Sequence, residues 1–285
     1  MKKRIEVAIE QVRRSFPFSG YLDEDFGEDV SNIVNEVLRM APPPARLLDI
    51  GSGPMNITAI FARLGYRSSA VDDLGDPWHQ LGDNVQRIEA FARAEGIRFH
   101  QNKPPDYKIP FTTESFDIIL VNSVIEHLHK SPRELLNTAF KYARVGGVVI
   151  VTMPNSVNLR KRLSVLRGHT NYPSVQQFFD SDGEWRGHVR EYTLSEAQYI
   201  VERVGGEIVV AGTYNSLLSS RLPNRIVRSI YVAFTNAFPN LRPSLLVVAR
   251  KPEEWQPAAF DEEAYWSAIG SSIPQGLIPG SNHST

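Results

Sequence analysis

The 285-residue chain contains no cysteine. Disulfides, thiolate nucleophiles, Cys-ligated zinc and iron–sulfur clusters are therefore excluded. It also has no excess of either charge: 31 Lys and Arg stand against 32 Asp and Glu, for a net charge of −1. Nucleic-acid binders usually carry a basic surplus, so no nucleic-acid partner is expected. No uncharged apolar run approaches the roughly 20 residues of a membrane span. The opening MKKRIEVAIEQVRRSF interrupts its apolar residues with charges and lacks the continuous apolar core of a secretory signal, so a cytoplasmic location is expected. What is present is 42% hydrophobic residues, the composition of a folded globular chain. A chain of this length can bury about three quarters of its unfolded surface and needs no staples.

Residues 1–45 read as an N-terminal helical segment. Val30, Ile33, Val34, Val37 and Leu38 recur at helical spacing, and Pro42-Pro43-Pro44 closes it, because proline cannot continue a helix. From 46 to 252, short apolar runs alternate with helical patterns. Strands are expected at 46–50, 69–71, 97–99, 116–121, 147–152, 206–210 and 245–249, with helices near 54–64, 79–95, 131–144 and 194–204. That alternation predicts an α/β chain with a parallel sheet covered on both faces. Two inserts, 155–190 and 214–243, break the pattern. Residues 253–285 are rich in Pro, Gly, Ser and acid and read as a poorly ordered tail.

The most informative stretch is Leu47-Leu48-Asp49-Ile50-Gly51-Ser52-Gly53-Pro54. A buried strand enters a glycine turn and a helix follows. Glycine there tolerates positive φ and lets a ligand approach the backbone. A dinucleotide fold would want a third glycine where Asn56 stands. Asp49 also fits poorly beside a phosphate and suits a cationic ligand. Taken alone, the turn is equally an ordinary strand-to-helix connection. About 20 residues later the next strand ends at Asp72-Asp73, where an acidic side chain can hold two ribose hydroxyls.

These pieces resemble a class I S-adenosylmethionine-dependent methyltransferase of the type 11/12 kind. LLDIGSGP (47–54) is similar to the methionine-binding loop and AVDD (70–73) to the ribose-binding strand end. IPFTTESFDIILVNSVIEHL (109–128) resembles the fourth strand with its lead-in. ARVGGVVIVTMPN (143–155) and HVREYTLSEAQYIVERVGGEIV (188–209) resemble the fifth strand and the closing segment. The resemblance implies a Rossmann-like seven-stranded sheet, mostly parallel, with the last strand antiparallel. It implies that Asp49, Gly51, Ser52 and Gly53 line the amino-acid end of S-adenosylmethionine. Asp72 would take the ribose, with Asp73 its rival; Asp106 would meet the adenine, and Asn122 and Ser123 would flank the cofactor.

Transfer to a hydroxyl needs an aligned acceptor and a proton acceptor. Glu126, His127 and His188 are the candidates, against a bland reading of helix cap and surface loop. Quinone-pathway O-methyltransferases resemble this segment but carry Glu-x-x-Glu-His, which can hold a divalent metal. Here Ser123 stands at the first Glu, and one carboxylate with one His makes a poor Mg²⁺ site, so no required metal is expected.

Both inserts are basic. Arg160, Lys161, Arg162 and Arg167 stand in the first. Arg221, Arg225 and Arg228 interleave with apolar residues in the second. The second reads as a basic amphipathic helix, either on an anionic membrane surface or packed as a lid or homodimer face. The insert placement and VDDLGDPWH (71–79) resemble methyltransferases of glycan and cell-surface polysaccharide pathways. That implies a sugar or other small-molecule acceptor, with a quinone-like or secondary metabolite as the alternative. Two rivals of other classes are a non-catalytic cofactor-binding partner subunit and a nicotinamide-dependent reductase, the latter opposed by Asn56 and Asp49.

Overall fold

Leu47 and Leu48 are adjacent in sequence, yet both are fully buried. A strand sends successive side chains to opposite faces, so both faces of this sheet are covered. Leu47, Ala70, Ile118, Leu120 and Ile150 belong to one apolar cluster; Leu48, Val71, Ile119, Val121 and Val151 belong to another.

The computed structural model describes residues 1–22, 26–103, 108–216, 218, 222 and 224–269. The chain begins with α1 (Lys2–Ser15) and α2 (Phe26–Met40) and continues through β1 (Arg46–Ile50), α3 (Asn56–Leu64), β2 (Arg67–Asp72), α4 (Asn84–Ala94) and β3 (Arg98–Gln101). Then come β4 (Phe116–Asn122), a 3₁₀ turn (Ile125–His127), α5 (Arg133–Tyr142), β5 (Ala143–Pro154), α6 (Leu159–Leu166), α7 (Val175–Phe179) and α8 (Leu194–Arg203). β6 (Glu207–Tyr214), α9 (Arg225–Ala237), β7 (Ser244–Arg250) and α10 (Glu262–Ile269) complete it.

The seven strands form one sheet in the order β3-β2-β1-β4-β5-β7-β6. β7 runs antiparallel to both neighbours and the remaining pairs are parallel. This is the expected Rossmann-like architecture with the last strand reversed. α1 to α4 pack on one face and α5 and α8 on the other. Phe61, Phe116 and Phe140 are among the largest fully buried side chains; truncating any one to Ala costs about 3–5 kcal/mol.

Two regions differ from the sequence reading in detail. The helix expected to reach 144 stops at Tyr142, because Ala143 pairs with Phe116 and starts β5 four residues early. Past Pro252 the chain is still packed: Trp255 stacks on Phe140, its Nε1–H donates to the Val204 carbonyl at 2.7 Å, and Ala258 exchanges hydrogen bonds with Asn137. Residues 270–285 lie outside the described residues.

The order of strands reverses between β1 and β4. Open α/β sheets bind ligands at such a point, beyond the C-terminal strand ends. No helix of the described residues is long and apolar enough to cross a membrane.

Candidate functional site

The loops after β1 and β4 face each other at the reversal. Gly51 has φ +75°, and a Cβ there would lie 2.5 Å from Val124 Cγ2, so only glycine fits. Gly51 N–H and Ser52 N–H both donate to the Val71 carbonyl, at 2.9 and 3.2 Å. A Cβ on Gly53 would meet open space. Three non-glycine residues at this end hold left-handed backbones: Met55 after β1, Leu74 after β2 and Ser123 after β4. Such strain costs on the order of 1–3 kcal/mol each and gathers at ligand sites.

Asp49 is 1% exposed at the end of β1. Thr58 Oγ1 donates to its Oδ2 at 2.6 Å, while Oδ1 has no hydrogen-bond partner among the described residues. Burial pushes its pKa up to about 7; the Thr58 hydroxyl opposes this and the Asp72 charge adds to it. Ser52 Oγ is likewise buried without a partner among the described residues. Asp72 ends β2. Its Oδ2 accepts Gly53 N–H and its Oδ1 accepts Leu74 N–H, both at 2.7 Å. Burial pushes it up to about 6 against those two donors, and Asp73 and Asp76 push the same way.

Asp73 is differently placed. Its Oδ1 accepts Gly75 N–H and its Oδ2 pairs with Arg186 at 3.1 Å, so its oxygens serve the loop. Asn122 Oδ1 accepts the Thr152 hydroxyl, and Ser123 is exposed with its N–H on the Thr152 carbonyl at 3.0 Å. Asp106 lies outside the described residues.

The base candidates come together. Glu126 and His127 lie in the 3₁₀ turn after β4; His188 is 61 residues further on, between α7 and α8. Val189 N–H and Arg190 N–H both donate to the Glu126 carbonyl, at 2.7 and 3.2 Å. The His127 and His188 rings meet edge to face, with centroids 4.9 Å apart. Glu126 is 0% exposed and neither carboxylate oxygen has a hydrogen-bond partner on another of the described residues. Burial pushes it up to about 8, tempered by its own backbone N–H.

Three contributors were given no site role in the sequence. Glu191 accepts from His188 Nδ1 at 2.8 Å and pairs with the buried Lys161 of α6. Glu191 lies inside the quoted 188–209 motif and Lys161 in the basic run of the first insert, yet nothing in the spacing links α6 to residue 191. His79, packed on Trp78, is buried beside the Asp72–Asp76 loop with both ring nitrogens unpartnered among the described residues, and desolvation lowers its pKa. A cavity of about 580 Å³ opens beside His188, lined by Ser156, Lys161, Asn171, Arg190, Glu191 and Glu196 among others.

The inserts form α6, α7 and α9. Only Thr235 of α9 is buried, while Ile226 and Ile230 are 72% and 64% exposed. The apolar side of this helix is therefore not packed on the sheet.

Residues 22–209 match the family described as a methyltransferase domain. An uncharacterised methyltransferase of Mycobacterium leprae is 33% identical over 114 residues, 39% of this chain and 38% of that protein. A ubiquinone biosynthesis O-methyltransferase of Caulobacter sp. is 30% identical over 111 residues, 39% of this chain and 41% of that one. The matches thus span about two fifths of the length of these curated relatives. Among solved structures, a chain from the complex of the Haloferax volcanii Trm112 methyltransferase activator with a methyltransferase superposes with TM-score 0.54. Its identity is 13%, over 88% of this chain and 98% of that one. At that identity the likeness is one of fold.

Proposed function

Because this chain belongs to the methyltransferase-domain family, whose methyl donor is S-adenosylmethionine, we propose that it transfers a methyl group to a hydroxyl of a sugar, glycan precursor or other small hydroxylated molecule. The observation that carries the reading is the buried Asp49 carboxylate. One of its oxygens has no hydrogen-bond partner among the described residues, two residues before the glycine turn that Asp72 braces through Gly53 N–H, and a cationic ligand would satisfy it. A dinucleotide pyrophosphate would not.

When bound, the cofactor supplies a methyl group on a sulfonium and departs as a neutral thioether. Asp49, Gly51, Ser52 and Gly53 would hold its amino-acid end. Asp72 would accept from the ribose hydroxyls, since each of its oxygens accepts one backbone N–H and keeps a second lone pair. Asp73 is committed to Arg186 and Gly75. Asn122 and Ser123 would border the cofactor from β4.

His127 Nδ1 faces the Arg186 carbonyl at 2.8 Å. A carbonyl only accepts, so Nδ1 carries the proton and Nε2 is the basic nitrogen. His188, held by Glu191, stands beside it as the second base, with Glu126 behind the pair. The acceptor would enter through the cavity beside His188. Its lining of Lys161, Asn171, Arg190, Glu191 and Glu196 suits a polyhydroxylated molecule better than a quinone with an apolar tail, the reading that the Caulobacter relative's name suggests.

The exposed apolar side of α9, which carries Arg225 and Arg228, is read as a peripheral contact with an anionic membrane face, with a homodimer face as the rival. Calorimetric titration with S-adenosylmethionine and S-adenosylhomocysteine, on wild type and Asp72→Ala, tests the function. Micromolar binding that weakens at least ~30-fold in the variant is expected, as for the loss of charge-assisted hydrogen bonds of about 2 kcal/mol. No binding to folded wild-type protein would overturn the reading. Binding without turnover on any acceptor would favour a non-catalytic partner subunit.

A further inference from the structure

We infer that Glu126, His127 and His188 form a binding site for one divalent transition-metal ion, with an open position that the acceptor hydroxyl fills. One ligand atom from each of the three residues lies within 4.8 Å of the other two. The main chains that carry them are fixed to each other by the two hydrogen bonds onto the Glu126 carbonyl, so the cluster is built by the fold.

The Glu126 carboxylate is the second, independent observation. It is 0% exposed and both oxygens lack a hydrogen-bond partner. Buried charges are ordinarily paired or coordinate a metal, and among the described residues no donor from another residue occupies these oxygens.

The imidazoles are prepared in the same sense. His127 Nδ1–H donates to the Arg186 carbonyl and His188 Nδ1–H to the Glu191 carboxylate, each at 2.8 Å. Glu191 is itself anchored by Lys161 of α6. Metal-bound histidines almost always give their other N–H to a carbonyl or carboxylate, which fixes the tautomer and turns Nε2 into the ligand. The rings lie at 85° to each other, as two imidazoles directed at one point can.

Two nitrogens and one oxygen suit Zn²⁺, Fe²⁺ or Co²⁺ rather than Mg²⁺, which takes oxygen ligands. Three protein ligands leave coordination positions open, as in catalytic sites. The sequence expectation of no required metal weighed Ser123, Glu126 and His127 alone. The fold adds His188 from a segment 61 residues away. With the ion bound, both Nε2 atoms are ligands and no longer proton acceptors, so the role of the ion rests on the methyl-transfer reading but replaces direct transfer to an imidazole: the coordinated hydroxyl loses its proton to water in the adjoining cavity at a lower pH than a free one does. The binding itself does not depend on that reading.

The test uses chelator-stripped full-length protein titrated with Co²⁺ and followed by visible ligand-field absorption, metal content and proton NMR. The inference expects one Co²⁺ per chain, displaced by Zn²⁺, and two exchangeable hyperfine-shifted resonances from the two Nδ1–H groups. Binding should weaken about 10–100-fold in Glu191→Gln, which loosens His188. It should weaken further in Glu126→Gln and in His188→Gln, and be unchanged in His129→Ala. His188 is 32% exposed at its side chain, so that variant keeps the test alive if Glu126→Gln fails to fold. No stoichiometric Co²⁺, or binding that survives His188→Gln, overturns the inference. Methyl transfer that persists in chelator without bound metal overturns the ion's part in the reaction and keeps the function. Tight metal binding with neither cofactor binding nor turnover does the reverse.

Discussion

Replacing Asp49 by Asn should make the ligand-free protein more resistant to alkaline pH while weakening its grip on the cofactor. In the folded chain the carboxyl titrates near 7, against 3.8 when unfolded, chiefly because it is buried. Below about pH 4 both states are protonated and the shift contributes nothing. As the pH rises from 4 to 7, the unfolded state ionises while the folded state keeps its proton. Stability therefore falls over that window and levels off above 7. At 1.36 kcal/mol per unit the whole loss is about 4 kcal/mol, of which roughly 2.5 kcal/mol falls between pH 5 and pH 8. An Asn amide would still accept from Thr58, but its NH₂ would lack a partner, at about 1–3 kcal/mol independent of pH. The offset cancels when two pH values are compared. Urea unfolding of wild type and Asp49→Asn at pH 5 and pH 8 should show the variant gaining about 2.5 kcal/mol on wild type between them, or roughly 5–10 °C in melting temperature. Asp72→Asn serves as the control for the neighbouring charge. A stability difference that stays within ~0.5 kcal/mol across that range would refute the assignment of a buried, proton-binding Asp49. The same group links to function: a cationic ligand favours the carboxylate, so wild type at pH 6 should release protons on binding S-adenosylmethionine. Calorimetry in two buffers of different ionisation heat reads that release, which Asp49→Asn should abolish.

Gly51→Ala should lower stability by about 2 kcal/mol or more, read as a drop in melting temperature, because a Cβ at φ +75° would sit 2.5 Å from Val124. An unchanged melting temperature would mean that the two loops separate at no cost. His127→Ala or His188→Ala should cut turnover at least ~100-fold with cofactor affinity preserved; if neither does, proton removal at this cluster is wrong. Flotation with anionic vesicles at low salt should carry the protein, and Ile226→Glu with Ile230→Glu should release it. A concentration-dependent dimer in sedimentation, with no flotation, would assign the α9 face to a second copy instead.

The sheet and the glycine turn at its switch point were legible because their signals are local. Strands buried on both faces announce themselves as apolar runs such as Phe116–Val121, and a turn at φ +75° leaves a glycine behind. Asp49 and Asp72 could be named because each sits at a fixed distance from such a run. The cluster of Glu126, His127 and His188 is different in kind. His188 reaches Glu126 only because β5, α6 and α7 return the chain to the mouth of the cleft, where Val189 and Arg190 hydrogen-bond the Glu126 carbonyl. Those bonds come from main-chain N–H groups, which any residue supplies, so no residue type marks the pairing. The Lys161–Glu191 pair joins α6 to the same loop through side chains that, in sequence, are two more charges among many. The exposure of α9 is equally silent: Arg225, Ile226, Val227 and Ile230 write the same amphipathic pattern whether the apolar side meets a sheet, a second chain or a membrane. Periodicity records that a face is apolar; what covers it depends on partners outside the helix. For the same reason the count of metal-ligating side chains changed with the fold: in sequence Glu126 had one histidine beside it, and in three dimensions it has two, each with its Nδ1 already engaged.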